Sequence, residues 1–289
     1  MNATSISYAN GRFVPTDELT FPFANDMLGT LRGYRIFTSC RSIKHKIFYM
    51  DQHIDRLFTM ADQIFMPLPH GKNDLTRILF DLLLRNRHLN SDLLFLIIYS
   101  GGPADSSGML PSETAHCYVT VSALKTPDTQ SYERGIALAT YPFEREFAPI
   151  KFLNYAGSVI AQHTVVKEHR AKAPLFLTKT ENPEWLEGST FNIFAVKDNT
   201  LITPPTDGRI LPGITREVVL NLAQESGITT EERAIYHTEL PEFQEVFITS
   251  STRGALPVVR IDHTMIGAGL PGPISQKIDQ AYQNHVENY

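Results

Sequence analysis

Lys151 stands in Pro149-Ile150-Lys151-Phe152-Leu153-Asn154-Tyr155-Ala156, a largely apolar stretch with no charged residue adjacent. An ammonium group in such surroundings loses solvation, its pKa falls, and the neutral amine becomes a nucleophile toward a carbonyl. Taken alone, the same lysine reads more simply as a strand-end residue whose stem lies on apolar surface while its head reaches water. Glu187, in Trp185-Leu186-Glu187-Gly188-Ser189, sets a carboxylate beside a glycine just ahead of a strand-like run; a lone Glu there is ordinarily solvated. Two further segments suit an anion. In Leu211-Pro212-Gly213-Ile214-Thr215-Arg216 a glycine-containing turn enters an amphipathic helix, whose first-turn N–H groups lack intrahelical partners and sit at the positive end of the dipole. The plain alternative is a Thr-capped helix. In Phe247-Ile248-Thr249-Ser250-Ser251-Thr252 a strand runs into four hydroxyl residues, which can converge on one anion or satisfy their own backbone.

Other patterns carry less. Gly267-Ala268-Gly269-Leu270-Pro271-Gly272 fits a dinucleotide-binding spacing, but too few residues follow for the remainder of a βαβ unit, so a turn is expected. The histidines are scattered, neither His-Glu-x-x-His nor Cys-x-x-Cys occurs, and no metal site is expected. A Gly-x-Ser-x-Gly elbow is also missing.

The elements that must position these residues follow from periodicity. Strands are expected at 6–8, 35–37, 46–49, 93–100 and 117–123. Asp51 is expected to cap a helix carrying Ile54, Leu57, Phe58, Ala61 and Ile64 on one face, and a second helix follows Asn73. Residues 125–133, with Pro127, read as a linker between a small N-terminal domain (1–124) and a larger one (134–289). The larger domain reads as a strand at 135–140, a helix at 157–170, a strand at 175–178 and a hairpin spanning 193–203. A helix at 215–226, a strand at 246–249 and a helix after Pro273 complete it. Strands outnumber crossover-length helices, so the class is α+β rather than a doubly wound sheet.

Composition narrows the function. With 289 residues, 42% hydrophobic and 20% charged, the chain has the profile of a soluble enzyme, and its net charge of −5 offers nothing to a polyanion. Two cysteines cannot build a disulfide framework, which favours a cytoplasmic setting, and the N-terminus carries no signal-like pattern. The longest apolar run, 93–99, is too short to cross a membrane.

Together the four segments resemble the fold-type IV (class IV) enzymes that use pyridoxal 5′-phosphate. These include branched-chain and D-amino-acid aminotransferases and aminodeoxychorismate lyases. Lys151-Phe152-Leu153-Asn154-Tyr155 is similar to the family's Schiff-base segment in its branched-chain form, whereas the lyases usually continue Asn-Arg. Glu187-Gly188 with Asn192-Ile193-Phe194 resembles the segment whose acid faces the pyridine nitrogen. The 211–216 turn and Ser250-Ser251-Thr252 with Pro257-Val258 match the two phosphate segments, and His53-Ile54-Asp55-Arg56-Leu57 looks like the motif whose arginine contacts the phosphate. The resemblance implies a two-domain α+β fold, with a small α/β domain and a larger one with a β-barrel-like core, assembled as a homodimer. It implies Lys151 as the catalytic lysine, Glu187 at the ring nitrogen and Tyr155 at the ring hydroxyl. Arg56, Gly213, Ile214, Thr215, Ser250, Ser251 and Thr252 would then hold the phosphate. The implied reaction moves an amino group between an amino acid and a 2-oxo acid. The alternatives are a lyase, or a protein of the same fold that binds the cofactor without catalysis.

Specificity is written less clearly. In Gly29-Thr30-Leu31-Arg32-Gly33-Tyr34-Arg35, Tyr34 falls where D-amino-acid enzymes place a pocket tyrosine, but the acid that usually follows is Arg35, and Arg32 replaces a common glycine or serine. Tyr99-Ser100-Gly101-Gly102 lacks the carboxylate-binding arginine of the D-amino-acid enzymes. Arg32 and Arg35 are therefore expected either to bind the substrate carboxylate or to make structural salt bridges.

Overall fold

A row of apolar residues on β-strands and two amphipathic helices build the first of two compact units in the computed structural model, which describes residues 4–289. Residues 1–3, the start of the stretch read for a leader, lie outside the described residues. The first unit runs to Lys125 and takes in Ile150–Asn154 and Tyr289. Its strands are β1 (Ile6–Ala9), β2 (Arg12–Pro15), β3 (Arg35–Ile43), β4 (Lys46–Ile47), β5 (Leu93–Ser100) and β6 (His116–Ala123), in the sheet order β2-β1-β6-β5-β3-β4. Its α-helices are α1 (Met27–Arg32), α2 (Met50–Gln63) and α3 (Lys72–Arg85). Ile54, Leu57 and Ala61 of α2 and Leu75, Leu79 and Leu82 of α3 pack with Ile36, Cys40, Phe95 and Ile97 into one core. Each fully buried side chain of this size contributes about 1.5–3 kcal/mol.

Several boundaries differ from expectation, and the strand expected at 35–37 runs on to Ile43. The strand at 46–49 stops at Ile47, and Asp51 does not cap the helix, because Tyr49 turns the chain in the left-handed region (φ 52°) and α2 starts at Met50. Asp51 lies instead in the first turn, where its charge complements the helix dipole. The stretch 125–133 is not all linker either. Asp128 accepts a hydrogen bond from Ser131 N (2.8 Å) and caps α4 (Thr129–Arg134), which belongs to the second unit.

The second unit holds residues 126–149 and 155–288. Its strands are β7 (Ile136–Pro142), β8 (Ala173–Leu177), β9 (Trp185–Gly188), β10 (Asn192–Lys197), β11 (Thr200–Thr203), β12 (Thr229–Glu232), β13 (Glu245–Ser250), β14 (Gly254–Ile261) and β15 (Thr264–Met265). They form one sheet in the order β12-β11-β10-β13-β14-β7-β8-β9, with β15 paired to β14, and the sheet curls into a half-barrel. Besides α4, its α-helices are α5 (Ala156–His169), α6 (Ile214–Glu225) and α7 (Pro273–Glu287). Ile193, Ala195, Val246, Ile248, Leu256 and Val258 are buried on the three central strands. The glycines at 267 and 269 have φ of +50° and +73°, so the Gly-rich stretch is a turn ahead of α7.

Candidate active site

In the first unit the lysine segment is built into the sheet. Phe37 N donates to Lys151 O (3.0 Å), Leu153 N donates to Arg35 O (2.9 Å), and Ile36 and Phe152 form an antiparallel bridge. Residues 151–153 therefore extend the sheet beside the first half of β3, while Ile150 joins the core. Lys151 N donates to Met60 Sδ (3.1 Å), and Lys151 Nζ stands 4.7 Å from the Phe37 ring centroid. That ring contact is of the cation–π kind, worth about 0.5–1 kcal/mol. On α2, His53 and Arg56 share a face at i, i+3 spacing. Arg56 Nη2 donates to Thr38 Oγ1 (2.9 Å), and Thr38 Oγ1 lies 2.8 Å from His53 Nδ1. Burial lowers the Arg56 guanidinium to about 10, so it stays cationic at neutral pH. His53 is pushed well below the usual imidazole range by burial first, then by Arg56 and Lys151.

The second unit assembles the acid and the anion-binding segments. Glu187 sits on β9 and is 5% exposed, against the expectation for a lone glutamate. Its cost of burial is offset by Arg145, whose Nε donates to Oε1 (2.8 Å) with Nη2 beside it, and by Leu211 N, which donates to Oε2 (3.1 Å). Asn192 ties the parts together: its side chain donates to Leu211 O (3.0 Å), and on the strand it pairs with Thr249. The turn comes this close only because residue 213 is glycine. A Cβ there would lie 2.0 Å from Asn192 Oδ1. Gly213 stands at the cap of α6 with no side-chain cap bond, and Thr215 lies inside the helix rather than at its cap. Ser250 Oγ is 3.5 Å from Thr252 Oγ1, and Arg253 Nη1 donates to Thr190 Oγ1 (3.0 Å). Ser251 lies between Ser250 and Thr252, partly buried. Tyr155, just ahead of α5, has its hydroxyl pKa raised by burial first; Arg145 lowers it and Glu187 raises it.

The residues read for specificity are placed differently from these. Tyr34 donates its hydroxyl to Ile64 O (2.5 Å). Arg32, exposed at the end of α1, donates to Gly108 O (3.3 Å). Arg35 makes a structural salt bridge, the second of the two expectations for it. Its Nη2 meets Asp26 Oδ2 (2.8 Å), its Nε donates to Ser100 Oγ (2.7 Å), and it lies over the Phe21 ring. Asp26 is fully buried and also accepts from Ser100 Oγ and Gly102 N. Arg35→Met should therefore lower unfolding stability by about 3 kcal/mol, because it strands a buried carboxylate. Chemical denaturation of the variant checks this, and a loss below about 0.5 kcal/mol, the size of a surface substitution, would show the pair to be dispensable.

A model of the class IV amino-transferases matches residues 35–261. The chain belongs to the class IV aminotransferase family. It is 28% identical to the D-alanine aminotransferase of Bacillus licheniformis, over 96% of this chain and 95% of that one. It is 29% identical to a putative branched-chain-amino-acid aminotransferase of Methanocaldococcus jannaschii, over 96% and 95%. The fold matches the T.th. branched-chain amino acid aminotransferase solved with pyridoxamine 5′-phosphate, with a TM-score of 0.87 and 23% identity, over 100% of this chain and 96% of that one. This class IV aminotransferase is a pyridoxal-phosphate-dependent transaminase of α+β, fold-type IV architecture.

The second unit of the aminotransferase fits a phosphorylated cofactor on its own terms. Ser189 Oγ and Thr249 Oγ1 are buried without a hydrogen-bond partner among the described residues, next in sequence to Gly188 and Ser250. Buried hydroxyls are rarely left so, and a bound anion accounts for donors of this kind. Sequence reasoning missed Arg145 as the partner of Glu187, and Thr38 and His53 as neighbours of Arg56. Arg145 in Glu144-Arg145-Glu146 reads as a surface charge run, and Thr38 carries no motif. His53 lies in the quoted arginine motif, and its spacing from Arg56 was the available signal.

Proposed function

We propose that the enzyme moves an amino group between an amino acid of the D-alanine or branched-chain type and a 2-oxo acid, with Lys151 as its catalytic lysine. The observation that carries the site assignment is the buried Glu187 carboxylate, held by Arg145 and Leu211 N. In this reading Glu187 faces the cofactor's ring nitrogen and Tyr155 its ring hydroxyl. Arg56, the N–H groups of Ile214 and Thr215 behind Gly213, and the hydroxyls of Ser250, Ser251 and Thr252 hold the phosphate. When bound, pyridoxal phosphate supplies an aldehyde to capture the amino group and a ring that accepts the electron pair left on the α-carbon. Lys151 Nζ would move the proton that leaves that carbon, and the Glu187 carboxylate, paired with Arg145, would hold a proton on its ring partner.

Both substrate types are supported by the relatives, whose names divide between D-alanine and branched-chain enzymes. Of the two arginines beside Tyr34, Arg35 is engaged by Asp26, so the reading gives the substrate carboxylate to Arg32. A panel of D- and L-alanine, valine and leucine with pyruvate or 2-oxoglutarate tests the substrate class. Arg32→Met should raise KM for the best amino acid about tenfold, the loss of one charge-assisted contact, and leave KM for the matching primary amine unchanged. Equal effects on both would place the carboxylate elsewhere. A cytoplasmic homodimer is part of the proposal, favoured by the exposed apolar residues Val159, Ile160 and Val166 on α5.

A further inference from the structure

Along β3, Ile36, Thr38 and Cys40 share one face by strand alternation, and all three are 0% exposed. Ile36 and Cys40 belong to the apolar core. Thr38 places a hydroxyl between these two core residues, and a buried hydroxyl costs stability unless it is hydrogen-bonded. Its partners are His53 Nδ1 at 2.8 Å and Arg56 Nη2 at 2.9 Å. The guanidinium can only donate, so Thr38 Oγ1 is the acceptor of that bond. The hydroxyl hydrogen is then available for His53, provided the imidazole presents a lone pair at Nδ1. Burial and the nearby Arg56 and Lys151 charges keep His53 neutral, which allows that tautomer. The result is a directed chain, Arg56 to Thr38 to His53, spanning β3 and α2.

We propose that Thr38 and His53 are positioning residues that fix the Arg56 guanidinium for the cofactor's phosphate. The inference rests on the assignment of Arg56 to the phosphate. A hydroxyl present only to satisfy itself in the core would affect stability alone; one that orients Arg56 affects recognition of the phosphate in particular. The two are separated by comparing pyridoxal phosphate with pyridoxal, which lacks the phosphate.

Dissociation constants for both are read on cofactor-stripped protein from quenching of Trp185, the single tryptophan. Arg56→Ala serves as the marker, and should weaken pyridoxal phosphate by about 10- to 100-fold while pyridoxal is unchanged, as expected for a hydrogen bond to a charged group. Thr38→Val keeps the shape and should weaken pyridoxal phosphate about tenfold without affecting pyridoxal. Thr38→Ser should restore it. His53→Asn, which can present an oxygen near the Nδ1 position, should stay near wild type, while His53→Leu should follow Thr38→Val, giving a second route should the valine variant not fold. If Arg56→Ala shifts the discrimination and neither Thr38→Val nor His53→Leu does, the positioning role is wrong and the phosphate assignment stands. If Arg56→Ala itself leaves the discrimination unchanged, the assignment of Arg56 fails and the inference fails with it.

Discussion

Lys151→Ala is expected to abolish multiple-turnover transamination, lowering kcat by about a thousandfold or more, the upper range for losing a positioned proton-transfer group. The variant should fold. The bonds that anchor the segment are made by its backbone: Lys151 N to Met60 Sδ, Phe37 N to Lys151 O, and Leu153 N to Arg35 O. What leaves is the amine and its contact with Phe37. Cofactor affinity should persist in part, since the residues assigned to the phosphate are untouched. Lys151→Arg separates charge from chemistry, because a guanidinium keeps the cation but does not lose its proton near neutral pH. Both variants should be equally slow. Full-rate turnover by Lys151→Ala would remove Lys151 from the reaction, and recovery of Lys151→Arg alone would mean that only the charge matters.

How far this could be read beforehand depends on the range of each interaction. Helices α2 and α3 were legible because Ile54, Leu57 and Ala61, and Leu75, Leu79 and Leu82, repeat at helical spacing, and those are the residues found in the core. The buried β5 was legible as an uninterrupted apolar run bounded by breakers. By contrast, α4 lies in a polar stretch after Pro127, and its cap is the Asp128–Ser131 pair, which composition does not reveal. Tyr49 in the left-handed region has no residue-type signal, so the start of α2 was misplaced. Residues 150–154 join the first unit, with 151–153 on its sheet, and such pairing depends on tertiary context rather than local preference. Arg35 shows the limit for charges. Its partners are Asp26, nine residues earlier, and Ser100, 65 residues later, so a structural ion pair and a substrate-binding arginine look alike in sequence. Glu187 was legible as a position but not as a buried one, since Arg145, which stabilises it, is 42 residues away.

That pair sets up the second large effect. Glu187→Gln should lower kcat about a hundredfold, the size of losing one preorganised electrostatic contact in a site, while KM changes less than about threefold. The amide carries no charge to hold a proton on its ring partner. It must also present either an oxygen or an NH₂ group to donors on two sides, Arg145 at one oxygen and Leu211 N at the other. If its oxygen turns toward Arg145, its NH₂ group opposes Leu211 N. Stability should therefore fall by about 2 kcal/mol, less than the 3–5 kcal/mol of a fully buried pair because Arg145 keeps 20% of its side chain exposed. A second variant distinguishes this structural loss from the chemical one. Arg145→Met added to Glu187→Gln removes the stranded cation and should recover much of the stability, since deleting both partners of a buried pair is milder than deleting one. It should recover none of the kcat. Tyr155 supplies an independent readout: Glu187 raises its hydroxyl pKa and Arg145 lowers it, so the single variant should move that pKa down and the double variant should move it back up. Activity that returned together with stability in the double variant would make Glu187 a scaffold for Arg145, and the ring nitrogen would then be controlled by another group.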